Sequence, residues 1–176
     1  MIKLSAYNIA FKGLAPGKHE FEYKIDSRFF ELFENSFVDD GNVDVKVILN
    51  KDLSVYTLDF QFNGYVMLLC DRCLELYSQP IHYETRAFLK FGSENQEEDD
   101  EIIWLTPEDH SVNVGQLIYE YIVLSLPIRH VHPDSSDGSS QCNPEMLSKL
   151  KKMTIDKSET HQDDRWEELK KLRNIN

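Results

Sequence analysis

The chain has 176 residues, 41% hydrophobic and 28% charged, the make-up of a folded globular protein with room for one substantial core. Its net charge of -12 is uneven: residues from Lys149 onward carry +2 and the remainder -14, so the body repels phosphate backbones, which bind proteins through Lys and Arg. No run of about 18 apolar residues is present to span a bilayer, MIKLSAYNIAFKGL lacks a secretory cleavage pattern, and an odd count of three cysteines fits a reducing cytoplasm rather than a secreted disulfide framework.

In chain order, strands are expected over 2–7 and 19–25. DSRFFELFENS (26–36), with Phe29, Phe30, Leu32 and Phe33, reads as a short helix. VDVKVILN (43–50) places Val43, Val45, Val47 and Leu49 on one face, and DLSVYTLDFQF (52–62) does the same with Tyr56, Leu58, Phe60 and Phe62. That period of two is the mark of half-buried strands. Asn50-Lys51-Asp52 and Asn63-Gly64 supply turns, the second a strong hairpin signal. Further strands are expected over 65–69 and 80–91. GSENQEEDDE (92–101) has no apolar residue and reads as a solvated loop.

SVNVGQLIYEYIVLSLP (111–127) predicts the main helix. Asn113 and Gln116 have capping-box spacing, and Val112 and Leu117 can form a hydrophobic staple. Val114, Leu117, Ile118, Tyr121 and Ile122 make one apolar stripe to pack on the sheet, and Pro127 stops the helix. PDSSDGSS (133–140) is a loop. NPEMLSKLKK opens a second helix with Asn143 as cap and Pro144 in the first position. DDRWEELKKL (163–172) predicts a third, acidic at its start and basic at its end. The pattern implies an α+β fold: a largely antiparallel sheet in the N-terminal half, packed by a helix near 113–126, with short helices after it. Residues 1–152 form a single domain on this reading, and 153–176 a linker and amphipathic helix.

Phosphate-binding glycine loops, GxSxG and HExxH are all missing, and no pair of carboxylates stands out by spacing, which lowers the case for an enzyme. The feature that carries chemistry is YVMLLCDRCLELYSQP (65–80). Cys70 and Cys73 in CDRC are a metal clip, a redox pair or two small residues in a turn. The redox reading wants a helix N-terminus to lower a thiol pKa, and here an apolar strand precedes the pair and no amphipathic helix follows it. Zinc takes four Cys or His ligands, of which CxxC supplies half. The other half can come from LPIRHVHPDSSDGSSQC, which holds His130, His132 and Cys142. The halves lie near 60 residues apart, so only the tertiary fold can join them.

An ordered set of motifs resembles the YceD family, the large ribosomal RNA subunit accumulation proteins of bacteria and plastids. A strand-rich half leads into CDRC, followed by the acidic ENQEEDDE and the helix VNVGQLIYEYIVLSLP. VHPDSSDGSSQC and the closing DDRWEELKKL complete the set, so the resemblance covers roughly residues 40–176. It implies Cys70, Cys73, His132 and Cys142 as metal ligands, favouring His132 over His130, with zinc in a structural role. The chain departs from members with additional C-terminal cysteines, so its fourth ligand must be a histidine. The resemblance further implies a cytoplasmic, non-enzymatic factor supporting large-subunit ribosomal RNA accumulation. Its partner would be a ribosomal protein or an rRNA precursor rather than a small molecule or a membrane. Trp166, Lys170, Lys171 and Arg173 are candidates for that contact, against a helix docked on its own domain through Trp166, Leu169 and Leu172. The competing readings are a zinc-dependent hydrolase and a plain protein-interaction module.

Overall fold

A computed structural model describes residues 4–52, 55–92 and 102–154. A 3-10 turn, Leu4–Tyr7, leads into β1 (Asn8–Ala10), β2 (Gly17–Ile25), α1 (Ser27–Phe30), β3 (Asp40–Lys51), β4 (Tyr56–Leu69) and β5 (Leu76–Phe91). Next come β6 (Ile102–Leu105), β7 (Ser111–Asn113), α2 (Gly115–Leu124) and α3 (Pro144–Met153). The fold is α+β. One five-stranded sheet has the order β2-β3-β4-β5-β6, antiparallel except for the β5–β6 pair, and a small ribbon joins β1 to β7.

The alternating stripes read from the sequence form the inner face of this sheet. Val45 pairs with Phe62, Val47 with Phe60 and Leu49 with Leu58, and all six are buried. Removing a ring such as Phe60 from this packing costs about 3–5 kcal/mol. Helix α2 lies over that face: Ile118 and Ile122 are fully buried, and the Tyr121 ring meets Phe60 at 5.1 Å. Helix α1, capped by Asp26 accepting from the Arg28 N–H, closes one end with Phe29 and Phe30. The β1–β7 pairing sets Ile9 opposite Val112 and fixes where α2 begins.

Several expectations are corrected. Residues 4–7 form a 3-10 turn rather than a strand, with the strand starting at Asn8. Asn63-Gly64 is no turn: β4 runs straight through it, with Gly64 between Val43 and Ile81. The glycine serves close approach instead. At φ +151 a Cβ there would sit 2.1 Å from the Asn42 carbonyl oxygen, where no side chain fits. The capping box on α2 does not form, because Val112 and Asn113 belong to β7. Asn113 Oδ1 accepts from the Gly115 N–H at 3.0 Å, while Gln116 Nε2 donates forward to Glu120 Oε1 at 2.7 Å. The parallel strand β6 had no periodic signal in its four residues. Residue 92 apart, the acidic loop falls outside the described residues, as does the predicted 163–172 helix.

Candidate metal centre

The site begins with the connection between the two longest strands. Leu69 and Leu76 face each other at the end of the β4–β5 ladder, leaving residues 70–75 to close it. The Leu74 N–H donates to the Cys70 carbonyl at 2.8 Å and the Cys70 N–H to the Glu75 carbonyl at 2.9 Å, coiling this segment into a tight knuckle. Leu74 takes φ +60 to complete the turn, a left-handed conformation that costs a side-chain-bearing residue about 1–2 kcal/mol. A local strain of that size marks a shape fixed by its surroundings.

The second half arrives from the far side of α2. Ser125 closes that helix, its hydroxyl donating to the Ile122 carbonyl at 2.6 Å. The chain then reaches His130, which is clamped to the knuckle twice. The Asp71 N–H donates to the His130 carbonyl, and the His130 N–H donates to Asp71 Oδ2, each at 2.7 Å. A loop closed by the Ser135 N–H donating to the Ser139 carbonyl brings the chain back at Cys142. Asn143 then caps α3 by accepting from the Glu145 N–H at 2.9 Å. Its own Nδ2 donates to Glu75 Oε1 at 2.7 Å, a third tie to the knuckle.

These ties gather four ligand atoms from Cys70, Cys73, His132 and Cys142, all within 4.8 Å of one another. Cys70 Sγ lies 3.7 Å from Cys142 Sγ. His132 Nδ1 lies 3.5 Å from Cys73 Sγ and 3.7 Å from Cys142 Sγ. Zinc–sulfur bonds of ~2.3 Å and zinc–nitrogen bonds of ~2.0–2.1 Å, set tetrahedrally, place two sulfurs ~3.8 Å apart and a sulfur and a nitrogen ~3.6 Å apart. The donor set and spacing therefore fit a zinc-sized cation. All three cysteines are free thiols, at most 4% exposed, and His132 is half-buried with its ring 5.2 Å from that of Tyr77.

Electrostatics favour ligation at one sulfur in particular. Burial acts to raise the Cys70 pKa, but it is outweighed by the backbone N–H groups of Cys73, Arg72 and His132 and by the His132 side chain. The result is a thiol lowered to about 6. Burial raises Cys73, and the neighbouring Cys70 raises it further, against the lowering effect of the Asn143 and Glu75 N–H groups. The N–H groups around Cys70 thus favour its thiolate, the form that binds a cation, whereas burial and the neighbouring sulfur hold the Cys73 thiol up.

One sequence comparison bears on this arrangement. Residues 58–173, well over half of the chain, match the family described as large ribosomal RNA subunit accumulation protein YceD. The chain belongs to the YceD family. Searches among curated proteins and solved structures give no match. The YceD match spans both halves of the sulfur cluster, and the family's name ties the chain to accumulation of large-subunit ribosomal RNA.

Within this YceD chain the four residues proposed from the sequence come together, and His130 does not join them. Its ring turns away from the cluster toward Phe37, 5.4 Å between centroids. Trp166, Lys170, Lys171 and Arg173 lie outside the described residues. The supporting groups Asp71, Glu75 and Asn143 were missed as site residues, since nothing in their spacing relates them until the halves meet. Among the described residues no helix is long and apolar enough to cross a membrane.

Proposed function

We propose that Cys70, Cys73, His132 and Cys142 hold a structural zinc ion that joins the β4–β5 knuckle to the segment after α2. On this reading the protein is a cytoplasmic, non-enzymatic factor supporting large-subunit ribosomal RNA accumulation by binding protein or ribonucleoprotein. The observation that carries the proposal is the closed ligand set of three sulfurs and one nitrogen. Four protein ligands fill a tetrahedron, whereas a hydrolytic zinc keeps a position open for water, so the set supports a structural role over a hydrolase. When bound, the ion would cross-link the two segments, which the hydrogen bonds between Asp71 and the His130 backbone already hold together.

Residues 1–152 form the working domain on this reading, and 153–176 a linker and amphipathic helix. Trp166, Lys170, Lys171 and Arg173 supply a further contact to the ribosomal particle. The acidity of the body, -14 over residues 1–148, supports a basic protein as the direct partner rather than bare RNA. Elemental mass spectrometry on protein purified without chelator should find one zinc per chain, and low-salt gradient sedimentation should find the protein with large-subunit precursors. A metal-free preparation that keeps its full stability removes the zinc. A protein that stays at the top of every gradient removes the ribosomal role.

A further inference from the structure

The knuckle has a second face. While its sulfurs turn inward, the strand ends that carry it leave an apolar floor on the outer side of the sheet, where Met67, Leu69 and Leu76 lie side by side. Leu69 and Leu76 are cross-strand partners, and Met67 is opposite Asp40 on β3. Phe37 and His130 stand over this floor as a wall, and the groove encloses about 400 Å³. Phe37, Leu69 and Leu76 are 58%, 59% and 62% exposed. Single exposed apolar residues are ordinary, but a contiguous set lining a groove marks an interaction site. Its rim is acidic: Asp39, Asp40 and Asp71 are all exposed, and among the described residues no Lys or Arg lines it.

We propose that this groove docks a basic segment of a partner protein, one that places a large apolar side chain on the Leu69–Leu76 floor and Lys or Arg against Asp39, Asp40 and Asp71. The inference rests on the reading of this chain as a binding factor and names the surface that does the binding. Charge decides the occupant. The three carboxylates of the rim repel RNA phosphates. A second copy of the chain would bring a body of the same sign against its own. A basic, apolar-anchored peptide satisfies both floor and rim, with the anchor supplying affinity and the charges supplying orientation and on-rate. The site is tied to the sulfur cluster, because Asp71 and His130, which close one end of the groove, are the pair clamped across the knuckle.

The test uses the full-length protein at physiological salt and a fluorescein-labelled Lys/Arg-rich peptide carrying one Leu and one Phe. Controls are the same peptide with both anchors replaced by Ser, and a short oligouridylate. Fluorescence anisotropy should show the anchored peptide binding, with Kd raised about tenfold or more by L69S/L76S and likewise by D39N/D40N. Glu84→Gln, on the outer face away from the groove, should leave it unchanged. Equal binding of the Ser peptide, competition by the oligouridylate, or indifference to both double substitutions overturns the proposal. So does a dimer in the analytical ultracentrifuge that L69S/L76S dissolves, which gives the groove to a second copy. A carbodiimide crosslink between Asp39 and Lys170 within one chain gives it to the chain's own tail and overturns it equally. The ribosomal reading fails separately. Peptide binding through the groove by a wild type that never sediments with precursors sinks that reading and leaves the groove. Co-sedimentation that L69S/L76S does not weaken sinks the groove and leaves the reading.

Discussion

If the four ligand atoms hold one zinc, stripping the metal and removing any one ligand should produce the same loss of stability, and the losses should not add. The cluster ties residues 72 positions apart in the chain, and its sulfurs are buried. A ligand that binds only the folded state at a free concentration about a thousandfold above its Kd contributes about 4 kcal/mol. For a protein of this size each kcal/mol moves Tm by about 2–4 °C, so EDTA should lower Tm by about 8–16 °C. Cys73→Ser and Cys142→Ser should each fall to nearly the same temperature, and the double substitution should lie within about 1 kcal/mol of either, since the second change removes a ligand from a site already empty. Both variants should be insensitive to EDTA. Differential scanning fluorimetry, with and without chelator, gives all of these values on one plate. A wild-type Tm unmoved by EDTA would refute the reasoning, as would two cysteine substitutions whose losses sum independently.

The two histidines should separate cleanly in a chromogenic zinc-release assay. His132→Ala should abolish retention of zinc, whereas His130→Ala should retain it, because His130 holds Asp71 through backbone atoms that the substitution leaves in place. Gly64→Ala forces a Cβ to within 2.1 Å of a backbone oxygen at φ +151, so urea titration of any soluble protein should show a loss above about 3 kcal/mol; a loss below 1 would disprove the close approach. Tyr23 makes a prediction at high pH. Burial first, and the nearby Tyr7 second, raise its phenol to about 12. The fold therefore favours the neutral ring, and its contribution is complete below the unfolded value near 10 and declines as pH rises from there toward 12. Tyr23→Phe should flatten the fall in stability across that window, followed by circular dichroism; an unchanged slope would contradict the assignment.

The sheet was legible because its inner face obeys a strict period of two, which Val43 through Leu49 and Tyr56 through Phe62 display without interruption. Helix α3 was legible because Asn143 and Pro144 act locally. Non-local geometry misled elsewhere. Asn63-Gly64 has the composition of a turn, yet the glycine answers to the β3 backbone, which no local window contains. Asn113 and Gln116 have the spacing of a capping box, but pairing of β7 with β1 holds Asn113 in a strand. The ligand residues were found through their chemistry and through likeness to the YceD family. Their convergence, and the choice between His130 and His132, depend on which way the chain leaves α2, and the Asp71–His130 clamp sets that direction.

The separation of the two halves of the cluster has a consequence for biosynthesis. Cys70 and Cys73 emerge well before His132 and Cys142, and at translation rates of about 5–20 residues per second the first pair waits roughly 3–14 seconds for the second. Throughout that interval the nascent chain exposes two thiols with no completed cage, open to scavenging by other metals or to oxidation. If the cluster holds zinc, loading can finish only after the main helix has docked and carried the second pair home. Metal content would thus report on maturation, distinguishing a finished molecule from one whose sheet has formed but whose later segment has not yet arrived.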